Sequence, residues 1–198
     1  MDMRVLKSIF CLLCGMLISQ SAMAQLNSVQ LNMEGSKVRF GVLIDGIGEV
    51  IIDSYGNVVG VINSYNYSEA DVKYEYYSNF NSYEAGKIKS IGAVSFTYYS
   101  NFNKYEAGKI KTVAGVSVKY YSDFNDYEAA KLKSVAGVII NYYSNFNDYE
   151  AGKIKSIGSY KYEYFSDFGG SSNAGQPKSG YAKVKVDGVN FMVNNRMR

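Results

Sequence analysis

The chain has 198 residues, with 21 Lys and Arg against 18 Asp and Glu, a formal net charge of +3 that offers no case for nucleic acid as a partner. It has no histidine and no tryptophan but 20 tyrosines, a composition that favours strands and removes the commonest general base of enzymes. An all-β, non-enzymatic protein is the expectation.

The first 24 residues read as a signal peptide. Arg4 and Lys7 form a basic start, Ile9 to Ile18 an apolar run, and Ala22-Met23-Ala24 a small-residue cleavage signature. The run is shorter than the ~20 residues that span a bilayer, so cleavage before Gln25 and a periplasmic or extracellular destination follow. Nothing membrane-spanning is expected after the leader is removed. Cys11 and Cys14 leave with it, so no disulfide, thiolate metal site or other cofactor is expected.

Residues 25–198 read as a single β-repeat domain. From Lys37 to Val61 apolar residues alternate with turn signals at Asp45-Gly46 and Ser54-Tyr55-Gly56-Asn57, which predicts two or three strands. Over about 71–168 a 22-residue repeat takes over, Tyr-Tyr-Ser-(Asn/Asp)-Phe-Asn-x-Tyr-Glu-Ala-(Gly/Ala)-Lys-(Ile/Leu)-Lys, starting at Tyr76, Tyr98, Tyr120 and Tyr142, with a truncated fifth copy at Tyr164. Before each Tyr-Tyr pair the residues alternate, as in Val94/Phe96/Tyr98 and Val138/Ile140/Tyr142, which puts these side chains on one face of a half-buried strand. The Gly-Lys-Ile-Lys-Ser-Ile segment supplies the second strand. A three-residue turn at Gly92-Ala93 and its equivalents is expected, because a two-residue turn would bury the lysines.

These units predict an antiparallel β-meander of hairpin repeats, curled into a barrel-like or two-layer sheet. A parallel β-solenoid is the alternative, but it would stack Lys87, Lys109, Lys131 and Lys153 in a ladder ~4.8 Å apart, where like charges repel. Gly169 to Gly180, with the single proline Pro177, reads as a flexible loop, and 181–194 as a closing hairpin on Asp187-Gly188. The alternating segments, at ~7 residues, are shorter than the 9 to 11 of an outer-membrane barrel strand.

Tyr83-Glu84-Ala85-Gly86-Lys87-Ile88, repeated from Tyr105, Tyr127 and Tyr149, resembles the Tyr-Asp-x-x-Gly-Arg-Leu core of YD-type repeats and is similar to the Tyr/Gly/Lys pattern of MORN-like hairpins. Glu stands where Asp is usual, and Lys where Arg is usual. The leader followed by Gln25 resembles exported proteins of Bacteroidetes-type bacteria. The resemblance implies a strip of β-hairpins used as a scaffold, shell or binding surface, and no activity.

Asp123, Asn125, Asp126 and Glu128, with Asn145, Asn147, Asp148 and Glu150, alternate oxygen-bearing side chains as calcium loops do. Lys104 breaks the pattern, and ordinary Asn/Asp turn chemistry accounts for it without a metal. Paired carboxylates and a Ser90/Lys89 pair recur in several copies, whereas an active site is one uniquely shaped pocket. The second tyrosines, Tyr77, Tyr99, Tyr121 and Tyr143, fall in a regularly spaced row on the wet face, where aromatic rings could stack the sugars of a repeating polymer or cover lysine stems. The expected function is therefore a structural or interaction module of the cell envelope, with a protein or polysaccharide partner. Glycan binding through the tyrosine row is the alternative.

Overall fold

The computed structural model describes residues 26–44, 47–63, 73–168, 170, 172–178, 183–194 and 197. The leader, the Asp45-Gly46 turn, Val72 and parts of the 169–180 loop lie outside the described residues.

Two-residue turns set the register of the repeats, in place of the expected three-residue turns. Ile91 pairs with Val94 and Val113 with Val116, and Ala114-Gly115 and Ala136-Gly137 both take left-handed angles, the backbone that suits a tight hairpin. The second lysine of each segment is not buried by this, because a β-bulge follows in the first four copies. Tyr76 pairs with Ile88 while Glu75 pairs with Ser90, which leaves Lys89 as the extra residue; Lys111, Lys133 and Lys155 are its equivalents. The bulge switches the alternation, so Ile88 and Ile91 both face the core while Lys89 stays exposed.

Repetition of this unit builds a nine-stranded antiparallel meander from β5 (Tyr74–Tyr76), β6 (Ile88–Ile91), β7 (Val94–Tyr98), β8 (Ile110–Val113), β9 (Val116–Tyr120), β10 (Leu132–Val135), β11 (Val138–Tyr142), β12 (Ile154–Ile157) and β13 (Tyr160–Lys161). A second sheet has six strands in the order β14-β15-β1-β2-β3-β4: β1 (Leu26–Asn32), β2 (Val38–Ile44), β3 (Gly48–Asp53), β4 (Val58–Asn63), β14 (Lys183–Val186) and β15 (Val189–Asn194). The last strand lies parallel to the first, pairing Val29 with Phe191 and Leu31 with Val193. Neither sheet closes on itself: among the described residues β14 and β4 edge one, and β13 and β5 the other.

The inward faces of both sheets form one hydrophobic core. Phe40, Ile52 and Phe191 of the small sheet share it with Phe96, Ile110, Leu132 and Ile154 of the repeats. Two turns of the small sheet dock onto the repeats two copies apart. The Met33 carbonyl accepts the Ile154 N–H and the Ser54 carbonyl accepts the Ile110 N–H, each at 2.8 Å. Gly35 and Gly56, at φ 64° and 89°, pack against the rings of Tyr142 and Tyr98, and a Cβ on either would overlap the ring.

The fifth copy is more complete than its sequence suggests. Gly175 donates to the Phe165 carbonyl at 2.8 Å, as Gly86 does to Tyr77 at 3.2 Å, and Lys178 donates to Glu163 at 2.8 Å. Residues 172–178 thus supply the return half of a fifth loop that is one residue longer than the others, rather than a featureless connector.

Gly35→Ala and Gly56→Ala should each cost about 2 kcal/mol or more, because a left-handed backbone and an overlapped ring are penalised together. Gly86→Ala has the same kind of backbone, φ 70°, but open space around it, and should lose only about 1 kcal/mol. Denaturant unfolding of the three variants checks this; equal losses would show that the docked turns are not tightly packed.

Candidate interaction surface

Each of the four full repeats carries an eleven-residue loop, 77–87 in the first copy, and hydrogen bonds give it a defined shape. The Tyr77 N–H donates to the Lys87 carbonyl at 2.9 Å and closes the base. At the tip the Asn81 carbonyl accepts the N–H groups of Glu84 and Ala85, while the Asn81 side-chain amide donates to Glu84 Oε1 at 2.7 Å. The same Asn-to-Glu bond recurs at 103/106, 125/128 and 147/150. Of the side chains that resembled calcium ligands, Asn125 is thus bonded to Glu128 and Asn147 to Glu150. Among the described residues no group of three or more His, Cys, Asp or Glu is placed to hold a metal ion.

The first lysine of each Gly-Lys-Ile-Lys segment joins one loop to the next. Expected to point to solvent, Lys87 is instead half-buried: its ammonium lies 4.8 Å from the Tyr98 ring centroid and donates to the Gly108 carbonyl of the following loop. Lys109 lies over Tyr120 and donates to Ala130 at 2.7 Å; Lys131 lies over Tyr142 and donates to Gly152 at 2.6 Å; Lys153 lies over Tyr164 and donates to Gly175 at 2.8 Å. Each clasp combines a cation–π contact, about 0.5–2 kcal/mol, with a charge-assisted hydrogen bond that compensates for lost hydration.

The proposed tyrosine row is placed differently from a free stacking platform. Tyr77, Tyr99, Tyr121 and Tyr143 are half-buried, and each hydroxyl donates to a backbone carbonyl of the next copy: Phe96, Val118, Ile140 and Tyr162 respectively, at 2.9–3.1 Å. Their rings meet the next inward tyrosine edge-on, at 5.9–6.1 Å between centroids. The bulge lysines Lys111, Lys133 and Lys155 lie over Tyr99, Tyr121 and Tyr143. An open cleft of about 460 Å³ does reach this row at one end, lined by Tyr127, Tyr143, Lys155, Lys161, Glu128 and Glu163 among others.

A second aromatic row, one the repeat pattern contains but strand alternation does not flag, stands fully in solvent. Phe80, Phe102, Phe124, Phe146 and Phe168 occupy the same position in the five loops and are between 89% and 92% exposed. Equivalent loops are two strands apart, so the loops that carry the rings recur about every 10 Å along the line of strand ends on one side of the nine-stranded sheet, the phenylalanine edge. Neighbouring positions vary, with Ser82, Lys104, Asp126 and Asp148 two residues after the phenylalanine. The phenylalanine does not.

No family model, no curated protein and no solved structure matches the chain.

Burial pushes the hydroxyls of Tyr98, Tyr120, Tyr142 and Tyr164 above the ordinary tyrosine value, and that of Tyr162 up to about 12. Burial holds Lys87, Lys109, Lys131 and Lys153 below the usual lysine value. The tyrosines keep their protons in the fold while the unfolded chain loses them near pH ~10, so stability is held below that pH and lost above it. The lysines act the other way, adding stability as pH rises from their lowered values toward ~10.5, but half-exposure keeps that gain small. Alkaline titration by tyrosinate absorbance, followed alongside circular dichroism, should show a late-ionising class that titrates only as the sheet signal collapses. Complete ionisation near pH ~10 with the sheet intact would contradict the burial.

Proposed function

We propose that the protein is an exported, non-enzymatic β-repeat module of the cell envelope that works by contact, through the edge that carries the phenylalanine row. The observation behind this reading is the exposure of the same phenylalanine in all five loops. In that position the ring adds nothing to the core, whereas burying it in a partner is favourable by about 1.5–3 kcal/mol. Five exposed rings repeated in one row are more than scattered single apolar side chains, and such a row supports an interaction site. The resemblance to YD-type and MORN-like hairpin repeats supports the same reading, as does the lack of histidine in a site that would otherwise be copied several times over.

The cleft beside Tyr143 favours a second reading, glycan binding at the end of the tyrosine row. Tyr127 and Tyr143 offer aromatic surface there, and Glu163, Lys161 and Asn141 offer hydrogen-bonding groups.

Cell fractionation separates the two. With Phe102, Phe124 and Phe146 replaced by Ser, the protein should keep its thermal midpoint and lose its association with the envelope fraction. Tyr143→Ala should leave that association unchanged. The opposite pattern, loss with Tyr143→Ala alone, would favour the glycan site and rule out the phenylalanine edge as the working surface.

A further inference from the structure

We propose that the phenylalanine edge binds a second copy of this chain, the two rows interdigitating as an antiparallel aromatic zipper. This rests on the contact reading above and names the occupant of the edge. Three properties of the row fit a second copy.

The first is spacing. Rings about 10 Å apart leave a gap whose midpoint is about 5 Å from each neighbour, within the 4.5–7 Å range of centroid separations at which aromatic pairs pack. An identical row offset by half a step therefore fills every gap, and a second copy matches the period by construction. The second is area. Five phenylalanines at about nine-tenths exposure present roughly 900 Å² per copy, close to the ~800 Å² that each partner contributes to a standard interface.

The third is charge. The position two residues after the phenylalanine carries Ser82, Lys104, Asp126 and Asp148 in successive loops. Rows running parallel and in register would set acid against acid in the third and fourth loops, which is unfavourable. Antiparallel rows displaced by half a step seat the Phe102–Lys104 loop of each copy between the Asp126 and Asp148 loops of the other. A two-fold axis across the row forms each Lys104 contact twice, four attractive neighbours against one like pair where the Asp126 loops of the two copies meet, and so favours the isologous antiparallel arrangement.

Sedimentation velocity over a wide concentration series, with the protein expressed from its full coding sequence, tests the proposal. A reversible monomer–dimer equilibrium is expected. Phe124→Ser should weaken it tenfold or more, as loss of a central anchor does, and the triple Phe102/Phe124/Phe146→Ser variant should be monomeric with an unchanged thermal midpoint. Lys104→Asp should weaken the dimer, and adding Asp126→Lys and Asp148→Lys should restore it, a rescue that a purely structural effect would not produce. A monomer at every concentration overturns the proposal, as does a dimer indifferent to the phenylalanines. If the wild type is monomeric while the triple variant still leaves the envelope fraction, the contact reading stands and the second copy is not its partner. If neither property depends on the phenylalanines, both fail.

Discussion

The arrangement that the rest of this structure depends on is the lysine clasp between consecutive loops. An ammonium group drawn half out of water must find compensation, and here it finds it on the ring of the inward tyrosine and on a backbone carbonyl of the following copy. Each lysine therefore measures the distance from its own loop to the next. The second tyrosine makes a parallel measurement through its hydroxyl, which bonds the next copy's strand. Loops that would otherwise project independently from the sheet are tied into a ladder, and the tie continues from Lys153 onto the diverged fifth loop at Gly175. The carbonyl acceptor lies on a left-handed residue in every clasp, Gly108, Gly152 or Gly175, and Ala130 in the third loop, where a methyl group does not prevent the bond.

The clasp gives the exposed phenylalanines their regularity. A ring on a mobile loop would offer hydrophobic area without position, whereas rings on tied loops form a row with a fixed period. The proposed division of labour follows from this. The tyrosines and lysines of the repeat hold copies together, and the phenylalanine, the one large apolar side chain that contributes nothing to that task, is left for the partner. In this account the small sheet is a brace. Its Gly35 and Gly56 turns press on Tyr142 and Tyr98, rings that also lie beneath the clasp lysines Lys131 and Lys87.

The all-β hairpin meander was legible because period-two alternation in Val94/Phe96/Tyr98 and its equivalents maps directly onto a buried face. The turn length was not. A burial argument based on strict alternation made the lysines decide between two- and three-residue turns, and the bulge at Lys89, Lys111, Lys133 and Lys155 removes that choice by changing the parity within the strand. Bulges leave little trace in composition. The parallel pairing of β1 with β15 was equally hidden, since it joins segments at opposite ends of the chain with no turn between them. Among site residues, Tyr77, Tyr99, Tyr121 and Tyr143 were read as outward because they follow the strand's last inward residue. The structure ends the strand there, and the ring turns back to bond the next copy. Phe80 and its equivalents were visible in the repeat but carried no signal of exposure, because a phenylalanine between two polar residues reads as well for a loop anchored in the core as for one presented to solvent.

Hydrogen exchange of the third loop in Lys109→Met tests the clasp most directly, because methionine keeps the apolar stem and removes only the ammonium that reaches Ala130. The account predicts that the Glu128 and Lys131 amides, which bond within that loop, lose protection while the amides of β11 and β12 keep theirs. Unchanged protection in the loop would contradict it, showing that the loops hold their shape without the lysines and that the period of the phenylalanine row has another cause.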